Sequence, residues 1–211
     1  MKLLGLDKVF CLSPHPDDVE LAMLGTIKKY TGTKFDVICL CQGSDHDPST
    51  SENRLQEVKD VWKQANCPNV ELLFSGTKYI KDYGPDDWIT YLEKTYITGG
   101  NYDAIFLPNE YDSHWEHRII SNLGPALIRA SKISLIQYYT PSTQDDWDPN
   151  FYVDITTVYD SKLEALTLFG SQAHRYYFKK KVLNSFHSDF QCCKKGMDWV
   201  EKFKILNFFE G

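Results

Sequence analysis

The chain has 211 residues, 42% of them hydrophobic, and a formal net charge of -6. That length gives one domain, residues 1–211, with a core that needs no covalent staples, and the acidic balance excludes the concentrated basic face that a nucleic-acid backbone requires. No segment reaches the apolar length of a membrane span and the first residues lack the apolar core of a signal peptide, so a cytoplasmic protein without stable membrane insertion is expected.

Taken in chain order, short apolar runs rich in branched residues alternate with longer amphipathic stretches. Strands are expected at residues 9–12, 35–41, 70–74, 104–107 and 134–138, and helices between them at 18–30, 52–65, 86–95 and 117–130. A polar loop at 141–146 precedes a short strand at 151–155, and helices are expected at 162–169 and 197–206. This order is that of an α/β fold, a three-layer α/β/α sandwich with a mostly parallel, Rossmann-like sheet. The run Lys179-Lys180-Lys181 reads as a solvated helix surface. Cys11, Cys39 and Cys41 lie in apolar runs where cysteine packs as a small hydrophobe, and the adjacent Cys192 and Cys193 are poorly spaced for chelation, so the cysteines are expected to be reduced and structural.

Chemistry concentrates in two loops that follow strands. Ser13-Pro14-His15-Pro16-Asp17-Asp18 leads into a helix, at a carboxyl strand end where open α/β sheets bind ligands. Helix capping alone would account for Asp17 and Asp18, but not for His15. Asp112-Ser113-His114-Trp115-Glu116-His117 follows the fourth strand in the same way, so both loops open on one edge. His15, Asp18 and His117 supply two imidazoles and a carboxylate to one metal with room left for water, the donor set of a catalytic zinc site. Asp17 remains as a base. A facial-triad iron oxygenase built on His15 and Asp17 uses a similar donor set, but that chemistry is usually housed in an all-β fold.

These motifs resemble the LmbE-like, or PIG-L, family of zinc N-deacetylases. Pro14-His15-Pro16-Asp17-Asp18 matches the family's first loop and His114-Trp115-Glu116-His117 its later His-x-Asp-His loop. Arg54 with Glu57, Val153-Asp154-Ile155, Lys162-Leu163-Glu164-Ala165 and Ser171-Gln172 match in order. The resemblance implies zinc on His15, Asp18 and His117, Asp17 as general base, His114 as the group that stabilises the oxyanion or protonates the leaving amine, and Arg54 in contact with substrate. By itself Arg54 would read as an ion pair with Glu57 one helical turn away. Glu116 replaces the family's usual Asp and is expected to orient His114 differently. Asp112 could align His114, receive a sugar hydroxyl or simply form a turn. The loop 42–47, with His46, departs from the family's usual Gly-Glu pairing.

The implied reaction is hydrolysis of the acetamide of a small N-acetylated sugar or conjugate, with His114 as imidazolium beside the oxyanion. Iron(II) or cobalt would suit the same donors. A sugar-binding module that kept the pocket but lost activity is the alternative, although His15, Asp17, Asp18 and His117 are all present. A nucleotide-binding Rossmann enzyme is excluded by the absence of a glycine-rich loop after the first strand. Homo-oligomerisation is compatible with the sequence.

Overall fold

The computed structural model describes residues 1–43 and 48–209, the side chains of 48–52 excepted. Its centre is a seven-stranded sheet. The strands are β1 (Lys8–Ser13), β2 (Lys34–Cys39), β3 (Val70–Phe74), β4 (Ala104–Pro108), β5 (Ser134–Tyr138), β6 (Phe151–Asp154) and β7 (Val200–Asn207). The helices are α1 (Asp18–Lys29), α2 (Pro48–Ala65), α3 (Pro85–Leu92), α4 (Trp115–Leu127), α5 (Tyr159–Leu166), α6 (Lys180–His187) and α7 (Phe190–Cys193).

The strand order is β3-β2-β1-β4-β5-β7-β6. The first five strands pair in parallel, while β7 runs antiparallel to both β5 and β6. Alternate side chains of each strand enter opposite faces. In β1, Val9 and Cys11 join the core under α1, α2 and α5, while Phe10 and Leu12 join the core under α3 and α4. This is the expected α/β/α sandwich. The chain leaves β1 toward β2 on one side and reaches β4 on the other, so the carboxyl ends of β1 and β4 face each other across the switch in strand order where such sheets hold ligands.

Residues 197–206 are not a helix. Trp199, Val200, Phe203 and Leu206 repeat at near-helical spacing, but from Val200 the chain forms β7, inserted between β5 and β6. Phe203 enters the core and Lys202 and Lys204 flank it. The pairing of two neighbours decides the conformation against a lysine-rich composition, as context commonly does in sheets. The strand expected at 35–41 ends at Cys39, and the helical stretch expected to reach 95 passes after Leu92 into a wider turn at Glu93–Ile97. Helix α6 begins within the run Lys179-Lys180-Lys181 expected to be a solvated helix surface, with Lys180 and Lys181 exposed, whereas α7 lies where no element was expected. All six cysteines are free thiols, and all but Cys193 are buried.

Candidate functional site

The β1–α1 loop is held from within. The Ser13 hydroxyl donates to the His15 carbonyl at 2.7 Å and accepts the Val19 N–H at 3.3 Å, and Asp18 Oδ2 accepts the His15 N–H at 2.8 Å. Asp17 occupies the cap position of α1 but makes no side-chain capping bond, and its φ of 130° is one that non-glycine residues rarely adopt. Capping therefore does not explain this carboxylate, which turns to Arg54 instead.

Across the sheet edge, the β4–α4 loop brings His114 and His117 to the same place. Asp112 Oδ1 accepts the His114 N–H at 2.8 Å, and Asp112 Oδ2 lies 2.8 Å from His117 Nδ1 and also accepts the Thr140 hydroxyl. Glu116 Oε2 lies 2.6 Å from His15 Nε2. Glu116 thus reaches the ring of His15 and Asp112 that of His117, whereas the sequence directed attention to His114.

The inner nitrogens of these two rings converge. His15 Nδ1 and His117 Nε2 are 3.2 Å apart, and Asp18 Oδ2 stands 3.1 Å from the first and 3.2 Å from the second. Each imidazole has a carboxylate at both nitrogens. Protons on both inner nitrogens would oppose each other, so the arrangement calls for one cation shared among three donors. Tetrahedral zinc with ligands at ~2.0–2.1 Å sets its donor atoms ~3.3 Å apart, close to this triangle. The residues fit a small divalent ion. The outer carboxylates, Glu116 and Asp112, would fix ring orientation and tautomer behind it.

The site's electrostatics agree. Burial opposes charge on His15, yet its bonds to Asp18 and Glu116 raise it to about 9, and Asp18 and Asp112 overcome burial to raise His117 to about 10. Burial likewise opposes ionisation of Asp18, but His117 and His15 hold it well below the usual carboxylate range. The pocket is built to attract positive charge. His114 differs: burial and the charges of His15 and His117 depress its pKa, which runs against the imidazolium expected there. Its ring lies 4.7 Å from each of the other two, and a looser set of His15, His114 and His117 has donor atoms within 4.8 Å. The tighter triangle through Asp18 is the better metal cradle.

Arg54 is buried, not a surface partner of Glu57. It donates to the Pro16 carbonyl at 2.9 Å, to Asp17 Oδ2 at 3.2 Å and to the Gly43 carbonyl. Glu57 instead accepts the N–H of Ser171 at 2.8 Å and its hydroxyl at 2.6 Å. Gly43 has φ +66°, and a Cβ there would stand 2.5 Å from Arg54 Nη1, so glycine is required. Burial lifts Asp17 to about 7 while Arg54 pulls it down and Asp18 pushes it up. A buried carboxyl poised near neutrality suits a general base.

These groups floor a cleft of about 600 Å³. Its outer walls include Lys78, Tyr79 and Lys81 from the segment after β3 and Arg175, Tyr176 and Tyr177 from the segment after α5. Sequence reasoning missed these walls and Thr140, because none sits in a motif; only Ser171-Gln172 pointed toward the second wall. Trp115 lines the cleft and is 49% exposed. Tyr138 and Trp147 do not line it: Tyr138 is fully buried with its hydroxyl on the Leu12 carbonyl, and Trp147 stacks on Tyr139. His46 lies outside the described residues.

Comparison with known proteins gives four findings. The family model described as PIG-L: GlcNAc-PI de-N-acetylase matches residues 10–128, more than half of the chain. A diacetylchitobiose deacetylase of Thermococcus kodakarensis is 28% identical over 198 residues, covering 78% of this chain and 70% of the relative. Among solved structures, the N,N'-diacetylchitobiose deacetylase of Pyrococcus horikoshii superposes with a TM-score of 0.72 at 23% identity, covering 96% of this chain and 85% of the other. The 4-carboxy-2-hydroxymuconate hydratase of Pseudomonas putida KT2440 gives 0.75 at 16% identity, covering 97% and 98%. The fold thus serves more than one reaction, and the reaction must be argued from the site.

Proposed function

The chain belongs to the PIG-L family, and from that premise we propose that it is a zinc-dependent N-deacetylase, acting as one domain, that releases acetate from an N-acetylated amino sugar or sugar conjugate. The observation that carries the reading is the convergence of His15 Nδ1, His117 Nε2 and Asp18 Oδ2 beside the buried carboxyl of Asp17. The diacetylchitobiose deacetylase relative supports an acetamido sugar as substrate.

His15, Asp18 and His117 would hold the ion, with Glu116 and Asp112 steadying the two rings. Zinc bound there supplies a Lewis acid and acidifies water to a pKa of about 7. Arg54 engages Asp17 Oδ2, which leaves Oδ1 to accept the proton of the attacking water. With its pKa raised to about 7, the same carboxyl returns that proton to the departing nitrogen. Neutral His114 stands close enough to His15 and His117 to donate an N–H to the oxyanion of the tetrahedral state. Burial of Asp17 and Arg54 keeps bulk water from competing for that proton.

Acetate release from N-acetylglucosamine, diacetylchitobiose and N-acetylated sugar conjugates tests the reading. Chelation should abolish release and one equivalent of zinc should restore it. Release that continues unchanged after complete metal removal would refute the metal-dependent mechanism. Among the described residues no helix is long and apolar enough to cross a membrane, in keeping with a water-soluble conjugate as substrate.

A further inference from the structure

The outer half of the cleft differs in chemistry from its floor. Lys78 and Lys81 stand over one ring, Nζ 5.3 Å and 5.0 Å from the Tyr79 centroid. Neither makes an ion pair among the described residues. Of the acids nearest in sequence, Asp82 accepts the Tyr79 N–H at 3.0 Å and Asp87 the Gly84 N–H at 3.3 Å, and neither these two nor Asp86 lines the cleft. The described acids that do line it, Asp17, Asp18 and Glu116, are bound to Arg54, His15 and His117 on the floor. In a protein of net charge -6, the mouth of the candidate active site thus carries two ammonium groups that no acid among the described residues pairs with. Trp115 and Tyr176, 49% and 63% exposed, add flat apolar faces at the same mouth.

Cations fixed around an aromatic ring in a cleft focus an anion and add to stacking. A neutral oligosaccharide gains nothing from the two charges, whereas a phosphate or carboxylate attached to the acetamido sugar does. We infer that Lys78 and Lys81, with Tyr79 between them, form a subsite for an anionic group carried by the substrate, so that this enzyme deacetylates an acidic sugar conjugate in preference to a neutral chitooligosaccharide. The inference rests on the deacetylase reading and specifies its substrate class.

The experiment compares kcat/KM for acetate release by the zinc-loaded enzyme from N-acetylglucosamine 1-phosphate, the carboxymethyl glycoside of N-acetylglucosamine, its methyl glycoside and diacetylchitobiose. The anionic compounds should lead the neutral ones about tenfold at low salt, the order expected for two exposed charges. Raising the ionic strength, or Lys78→Gln/Lys81→Gln, should erase most of that lead. The ranking of the phosphate against the carboxylate names the anion. Equal rates for neutral and anionic substrates, or a lead that persists in the double variant, would overturn the subsite while leaving the deacetylase reading intact. If no compound releases acetate, the deacetylase reading is what fails. Calorimetric binding of glucosamine 1-phosphate against methyl glucosaminide then decides the subsite: tighter phosphate binding that the double variant loses supports it, and equal binding overturns it.

Discussion

The Nδ1 of His15 and the Nε2 of His117 lie 3.2 Å apart, although the two residues stand 102 positions apart in sequence and each ring has a carboxylate against its outer nitrogen. A cation shared by the two inner nitrogens and Asp18 would offset the cost of burying these carboxylates. Several consequences can be measured.

Asp112 fixes the His117 ring through Nδ1 and also holds the His114 N–H. Asp112→Ala should weaken zinc binding about 10–100-fold, the usual cost of losing an outer carboxylate behind a histidine ligand. Competition with a chromophoric chelator reads this directly. Unchanged affinity would mean that His117 needs no such support.

Arg54 lowers the pKa of Asp17 against the upward push of burial. Arg54→Gln removes that restraint, so Asp17 stays protonated to higher pH and the acid limb of the kcat/KM profile moves upward by about one unit or more. At pH 7 the variant should lose about tenfold or more in kcat/KM. An acid limb that does not move would remove Asp17 from the role of base.

Lys162 and Glu201 form an ion pair with both side chains fully buried. Glu201 accepts the N–H of Gly25 at 2.8 Å and of Thr26 at 2.6 Å, and Lys162 donates to the Leu21 carbonyl at 2.6 Å, so the pair binds backbone groups in the middle of α1, the helix that begins at Asp18. Lys162→Met leaves a buried carboxylate without its partner and should cost about 3–5 kcal/mol. Lys162→Met/Glu201→Leu should recover most of that, because Leu21 O and Gly25 N can pair with each other along the helix. Urea unfolding of both variants gives the comparison.

His187 is buried, its Nδ1 3.2 Å from the Val200 carbonyl, with Tyr159 and Phe186 against the ring. Burial, with the charge of Lys162, holds its pKa well below 6.5. As pH falls below 6.5 the unfolded chain takes up a proton that the folded protein refuses, so stability drops by about 1.4 kcal/mol per pH unit from this group. The loss is absent above 6.5. His187→Phe should flatten the dependence of stability between pH 6.5 and 5 by about 2 kcal/mol, and an unaltered slope would contradict the assignment.

Much of this site could be read in the sequence because its floor comes from two short loops, each directly after a strand. The spacing of His15, Asp17 and Asp18, and of Asp112, His114 and His117, is local chemistry that survives without knowledge of the fold. The central strands were equally legible, being fully buried and apolar. Strand β7 was not, since Phe203 and its neighbouring lysines carry a period that only pairing with β5 and β6 resolves. The partners of Glu116 and Arg54 were also hidden: His15 lies 101 positions from Glu116, and Arg54 turns inward to Pro16, Asp17 and Gly43. Lys78 and Lys81 belong to no motif and acquire meaning only when the cleft walls are assembled.

The central claim is that Asp17 performs the proton transfer beside an ion held by His15, Asp18 and His117. Its most direct test is Asp17→Asn, assayed together for zinc content and for acetate release from the best substrate. The account predicts one zinc per chain, as in the unaltered protein, with kcat lowered about 10³-fold. Full zinc occupancy with acetate release undiminished would contradict it.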